Sequence, residues 1–239
     1  MSDEIFHEVD EDLRNERMRR LWSQFGPWII GAAVVIVLIV AGNEAWRWWQ
    51  SSQQNASAEQ FVAALDQVEE GNYDEGIAAL NEIEANGAGN YPALASFREA
   101  AALAQQGKID EAVAAYDAIA TSQGDQRLRE LSSLFAAYLL VDGGDPLAVS
   151  QRVGDLQVDG HPLRNAAREA LGLTYYQAGQ FAEALNQFEA VANDPAAPRN
   201  LAQRVGLYLA QLESQGVAEE AAPAAEEAAP AETEAAPSE

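Results

Sequence analysis

The sequence predicts an all-α fold in three parts: a single N-terminal transmembrane helix, a solenoid of helical hairpins and a disordered acidic tail. Three observations carry this reading. The stretch from Leu21 to Asn43 has no charged residue and is ringed by all five tryptophans of the chain. Glycines at 71, 107, 143 and 179 recur at intervals of 36 inside similar segments. The stretch from Val217 to Glu239 is almost wholly Ala, Glu and Pro. The expected organisation is a charged stub at 1–20, a membrane segment with Trp belts at 21–49, a repeat domain at 50–216 and a tail at 217–239.

The stub is dense in charge, with Arg14, Arg17, Arg19 and Arg20 just before the apolar run. From Pro27 to Gly42 the chain is apolar throughout. A membrane-spanning helix needs about 20 mostly apolar residues, a length reached when Leu21, Trp22 and Phe25 sit at the near interface. Trp22 and Trp28 lie at one end; Trp46, Trp48 and Trp49 lie at the other. Indole rings favour the headgroup level, so paired belts mark both surfaces. Basic residues near a span stay in the cytoplasm. After Arg47 no Lys or Arg follows until Arg98, so the expected topology puts the N-terminus inside and the rest outside, which in a bacterium is the periplasm. A cleaved signal peptide fits less well: the apolar core is long, no Ala-x-Ala site follows it, and Trp46-Arg47-Trp48-Trp49 is an interface anchor.

Between span and tail lie about 165 residues, enough for one domain with its own core. Three segments align without gaps: Gly71 to Leu80, Gly107 to Tyr116 and Gly179 to Phe188. Gly143 falls at the missing register and marks a degenerate copy. In each unit a helix runs to the Gly, where a positive φ is cheap. An acid then opens the second helix at its positive end. A small residue (Gly76, Ala112, Ala184) admits close approach, and a large one four places on (Leu80, Tyr116, Phe188) fills the space between units. Small residues also stand seven places before each glycine: Ala64, Ala100, Ala136 and Gly172. Helix pairs are predicted at 55–70 and 74–86, 92–106 and 110–122, 126–142 and 146–157, and 163–178 and 182–193, with a capping helix at 197–214.

The tail carries seven acids and no base, with Pro223, Pro230 and Pro237 at intervals of seven. It cannot bury enough apolar surface to offset its ordering entropy.

The net charge of −24 argues against nucleic acid, whose phosphates demand Lys and Arg. The absence of cysteine excludes disulfides, thiolate catalysis and Cys-bound metal. No catalytic constellation stands out. His7 lies in the stub and His161 precedes Pro162 in a loop, so they make no metal site. No cofactor, metal or small-molecule substrate is implied. Binding, if it occurs on the first helices of the pairs, has five basic candidates in an acidic domain: Arg98, Arg127, Arg129, Arg164 and Arg168. The plainer reading pairs them with nearby Glu at i,i+4 spacing, Arg164 and Arg168 reaching Glu169 or its neighbours.

The Gly-centred units, fullest in Leu171-Gly172-x-x-Tyr175 before Gly179, resemble the tetratricopeptide repeat (TPR), a helix–turn–helix of about 34 residues. The upstream Trp usual in such repeats is absent. The order of stub, single span ending in Trp46-Arg47-Trp48-Trp49, polar linker and repeats containing Tyr91-Pro-Ala-Leu-Ala-Ser-Phe97 resembles the YfgM-type family of bacterial inner-membrane proteins. That resemblance implies association with the SecY-E-G translocon and a membrane-anchored periplasmic chaperone, helping translocated proteins to fold. The alternative is an envelope scaffold of the same topology organising division or cell-wall machinery.

Overall fold

A computed structural model describes the backbone of residues 2–216 and most side chains beyond residue 30. The acidic tail expected at 217–239 lies outside the described residues. All regular structure among the described residues is helical. The chain divides into two compact units between Ala58 and Glu59.

Helix α1 runs from Ser2 to Glu69. The sequence predicts a separate helix starting at 55 after a polar linker. Instead Gln50 to Asn55 are helical, because no Gly or Pro interrupts the chain between Gly42 and Gly71. Val34 to Val40 are all more than half exposed, so no other element among the described residues covers the apolar run. The stretch from Ile30 onward is long and apolar enough to cross a membrane.

The second unit starts with the last turns of α1 and continues through α2 (Tyr73–Asn86), α3 (Tyr91–Gln105), α4 (Ile109–Ser122), α5 (Gln126–Leu140), α6 (Pro146–Val153), α7 (Arg164–Gln177), α8 (Phe181–Ala192) and α9 (Arg199–Ser214). Residues 59–69 pair with α2, α3 with α4, α5 with α6 and α7 with α8, while α9 covers the end. Three of the four turns share one device. Gly71, Gly107 and Gly179 have φ of 87°, 85° and 75°. The N–H of the following residue reaches back to the carbonyl of Gln67, Leu103 or Tyr175, closing the helix end in a Schellman arrangement.

The third repeat departs from the predicted register. Its left-handed glycine is Gly144, with φ of 61°, and not Gly143. Helix α5 stops at Leu140 and a 3-10 turn, Val141–Gly143, adds one residue before the reversal. Asp145 then caps α6 by accepting from the N–H groups of Leu147 and Ala148, with Pro146 in the first turn. Counted from Gly144, Val149 and Val153 take the small and large positions of the other repeats, and both are fully buried. Helix α6 is therefore short, ending at Val153 with a 3-10 turn over Gly154–Gln157 where the sequence predicts helix to 157.

The small positions do what their spacing predicts. Ala100, Ala112, Ala136 and Ala184 are fully buried. A Cβ on Gly172 would meet Phe188 Cε1 at 2.5 Å, and one on Gly76 would meet Val68 Cγ2 at 2.6 Å. Leu80, Tyr116 and Phe188 fill the facing space. Apolar burial at roughly 25 cal/mol per Å² is the main force holding each hairpin to the next.

Candidate protein-docking face

Helices α3, α5 and α7, with residues 59–69, are the first members of their hairpins, and side chains tie them and the capping helix α9 into a row. The rings of Phe61 and Tyr91 lie 5.8 Å apart. Phe97 of α3 meets Phe135 of α5 edge-on at 6.1 Å, and Tyr116 of α4 joins them. Tyr138 of α5 donates its hydroxyl to Glu169 of α7 at 2.8 Å. The same carboxylate accepts two bonds from Arg204 of α9, at 2.8 and 2.9 Å.

Glu169 is 2% exposed and fully partnered. A buried carboxylate is tolerated only when donors replace its water, and here three do so. Burial, followed by the bond to Glu169, pushes the Tyr138 phenol well above the usual tyrosine range. The bond to Glu169 holds the Arg204 guanidinium still more firmly protonated.

A second polar knot lies at the end of α8. Asp194 accepts from Arg164 Nη2 at 2.7 Å, from Asn165 Nδ2 at 3.0 Å and from the Ala196 N–H at 2.9 Å. The Arg164 bond, then the Ala196 N–H, hold the Asp194 carboxyl well below the usual carboxylate range. On the second helices, Arg152 of α6 makes a bidentate pair with Asp117 of α4, at 3.0 and 2.6 Å.

An open cleft of about 660 Å³ lies between the starts of α3 and α5. Pro92, Leu94 and Phe97 form one wall and Leu128 the other, with Gln123 and Asp125 at the connection. Leu94 is 48% exposed and Phe135 37% exposed.

The five arginines singled out by the sequence divide between two roles. The Arg98 and Arg127 side chains are exposed and, among the described residues, have no hydrogen-bond or ion-pair partner, although the Arg127 N–H donates to the Asp125 carboxylate at 2.8 Å. Arg129 donates to the carbonyls of Gln123 and Gly124 and so closes the α4–α5 turn. Arg164 and Arg168 do not pair with Glu169. Arg164 holds Asp194, 30 residues on, and Arg168 reaches the Gln157 carbonyl and Asp159. Glu169 itself turns inward to Tyr138 and Arg204, which the i,i+4 expectation misses; its place between Ala167, Ala170 and Leu171, all buried, is the signal that points there. His161 accepts from the Leu163 N–H through Nδ1 and faces Glu130 at 3.4 Å through Nε2, a loop-closing role. Among the described residues, no three His, Cys, Asp or Glu gather in a metal-ligand arrangement.

The sequence matches the family described as "Tetratricopeptide repeat-like domain" over residues 19–203, from just before the apolar run into α9. No curated protein and no solved structure matches it.

Proposed function

The chain belongs to the tetratricopeptide repeat-like domain family, and from that premise we propose that it is a membrane-anchored scaffold docking partner proteins near a membrane surface. The observation that carries this reading is a fully exposed apolar helix segment joined in one chain to a stack of hairpins. Among the described residues nothing covers Val34 to Val40, and lipid is the solvent that suits a helix apolar on all sides. The tetratricopeptide repeat-like fold is typically a non-enzymatic scaffold, and its extended first-helix faces suit protein recognition. We place the N-terminus in the cytoplasm and the repeats in the periplasm of a bacterial inner membrane, from the arginines that precede the span.

The resemblance to the YfgM-type family supports a finer reading, in which the partners are the Sec translocon and a membrane-anchored periplasmic chaperone. Anchoring raises the effective concentration of the docking face beside the channel, so weak contacts suffice. A division or cell-wall scaffold shares this fold and topology and differs in its partners.

Two measurements test the reading. The chain has no cysteine, so single substitutions report topology without a background. Lys108→Cys should react with a membrane-impermeant maleimide in spheroplasts, and His7→Cys only after permeabilisation; the reverse pattern overturns the topology. Photocrosslinking in cells from Ile36, Arg98 and Phe135 then identifies neighbours. Adducts to translocon subunits and a periplasmic chaperone support the finer reading, and adducts to wall-synthesis proteins alone replace it with the second.

A further inference from the structure

We infer that His161 is an acid-sensitive latch between the third and fourth repeats: a proton on its imidazole exchanges a hydrogen bond at the entry to α7 for an ion pair to α5, and turns the cleft beside it from neutral to positive. The inference is independent of what the repeats bind. It stands on the geometry of one loop. His161 lies in the connection between the 3-10 turn Gly154–Gln157 and α7. Its Nδ1 accepts from the Leu163 N–H at 3.1 Å, two residues on, as an Asn or Asp side chain does in a turn. Leu163 stands directly before α7, so its N–H is one of those a helix start leaves without an internal partner. A ring nitrogen that accepts carries no proton, so the neutral imidazole carries its proton on Nε2. Nε2 faces Glu130 Oε2 of α5 at 3.4 Å, and the two side chains are only 16% and 21% exposed.

Protonation changes both contacts. In the charged ring both nitrogens are donors, so Nδ1 meets the Leu163 N–H donor to donor while the positive ring gains the Glu130 carboxylate. Glu130 is held for that pair, because Gln126 Nε2 donates to its other oxygen at 2.7 Å. The charged groups around the ring come from every neighbouring element. Arg129 and Glu130 of α5, Arg152 of α6 and Asp155 of the 3-10 turn line an open cleft of about 390 Å³ with His161. On the loop side Asp159 is held by Arg168 at 3.5 Å, and Arg164 donates to the His161 carbonyl at 3.3 Å. Within the cleft the two arginines balance the two acids, so its net charge is zero with a neutral His161 and one positive with a protonated one. Imidazole is the side-chain type that changes charge between about pH 5 and 8, which makes this loop the place where a modest pH change alters both a helix entry and a surface charge.

The test is a pH titration of the full chain in detergent, with nitrogen-15-labelled leucine followed by NMR. As pH falls from about 7.5 to about 5.5, the Leu163 amide proton should move upfield as its acceptor is lost, with the same midpoint as the His161 ring protons. Glu130→Gln should lower that midpoint, because the anion that favours the charged ring is gone. His161→Asn keeps an acceptor for the Leu163 N–H and has no proton to take up, so its Leu163 amide should stay still over the same range. The buried Leu80 and Leu212, in the first and last clusters, should not move in any of the three proteins. The inference falls if the Leu163 amide of the natural chain does not move, if it moves equally in His161→Asn, or if Glu130→Gln leaves the midpoint in place. It also falls if Leu80 and Leu212 follow the same midpoint as Leu163, because the whole stack then responds to acid and the loop is no separate latch.

Discussion

Glu169 and Asp194 show how single acids set the joints of this stack. Each binds groups from neighbouring elements, and each is worth more as a connector than as a surface charge. Glu169→Ala leaves the Arg204 guanidinium without its acceptor and the Tyr138 hydroxyl with only the Ala166 carbonyl at 3.2 Å, at a cost of about 2–3 kcal/mol, no more than the low end for breaking a buried pair because Arg204 is half exposed. Urea unfolding should show that loss, and Glu169→Gln should show less of it, since the amide oxygen still accepts. Asp194 predicts a pH dependence. Its folded-state pKa is depressed, so its contribution is complete above the unfolded carboxylate value of about 4 and disappears as pH falls through the folded value. Asp194→Asn should lower the melting point at pH 7 and flatten its decline on the acid side; an equally steep acid limb would show that other carboxylates control it. These partners were not legible in the sequence. Composition shows that Arg164 and Asp194 exist, but they are 30 residues apart, and only the closing of α7 on α8 brings them together.

At the scale of the element, the periodic glycines made most helix ends readable, because a left-handed residue after a helix has few substitutes. The third repeat differs from its expected register by one residue for the same reason: Gly143 and Gly144 are both glycine, and the 36-residue interval favours the first. The structure selects Gly144 because Val149 and Val153 then point inward, whereas the Gly143 register would bring Ala148 and Arg152 to those positions. Gly144→Ala should therefore cost about 1–2 kcal/mol from its positive φ, although the nearest atom to a new Cβ is an unforced 3.5 Å away. Gly143→Ala should be neutral or slightly stabilising, since nothing lies within 4 Å of its Cβ position. Equal melting points for the two variants would restore the 36-residue register. Gly172 is constrained differently. Its φ is ordinary, but Phe188 occupies the space of a side chain, so Gly172→Ala should cost about 1–3 kcal/mol by overpacking. Adding Phe188→Leu should recover part of that loss in a double-mutant cycle.

The second unit as a whole is built from neighbour contacts, and its stability should follow. Its core falls into four clusters in chain order. One joins residues 59–69, α2 and the start of α3 around Leu80 and Ile83; the next joins α3, α4 and α5 around Tyr116. A third joins α5, α6 and α7 around Val149 and Val153, and the last joins α7, α8 and α9 around Phe188. In such a stack the free energy is a sum of unit and interface contributions, so damage at one end need not reach the other. Ending the chain at Pro195 removes Leu201, Val205 and Leu212 from the last cluster and Arg204 from Glu169. Phe188 and Val191 then face water, and α7 loses the charge that justified burying its carboxylate. Hydrogen exchange should show amides of α7 and α8 losing protection by about a hundredfold or more, while those of α2 to α4 stay within about threefold. A chain ending at Gly216 should match the full-length protein, which assigns the effect to α9 and not to the tail. Uniform loss of protection from α2 to α8 would mean that the four clusters melt as one, and that the seam of Phe97, Phe135, Tyr138 and Glu169 along the first helices couples them more strongly than their separate packing suggests.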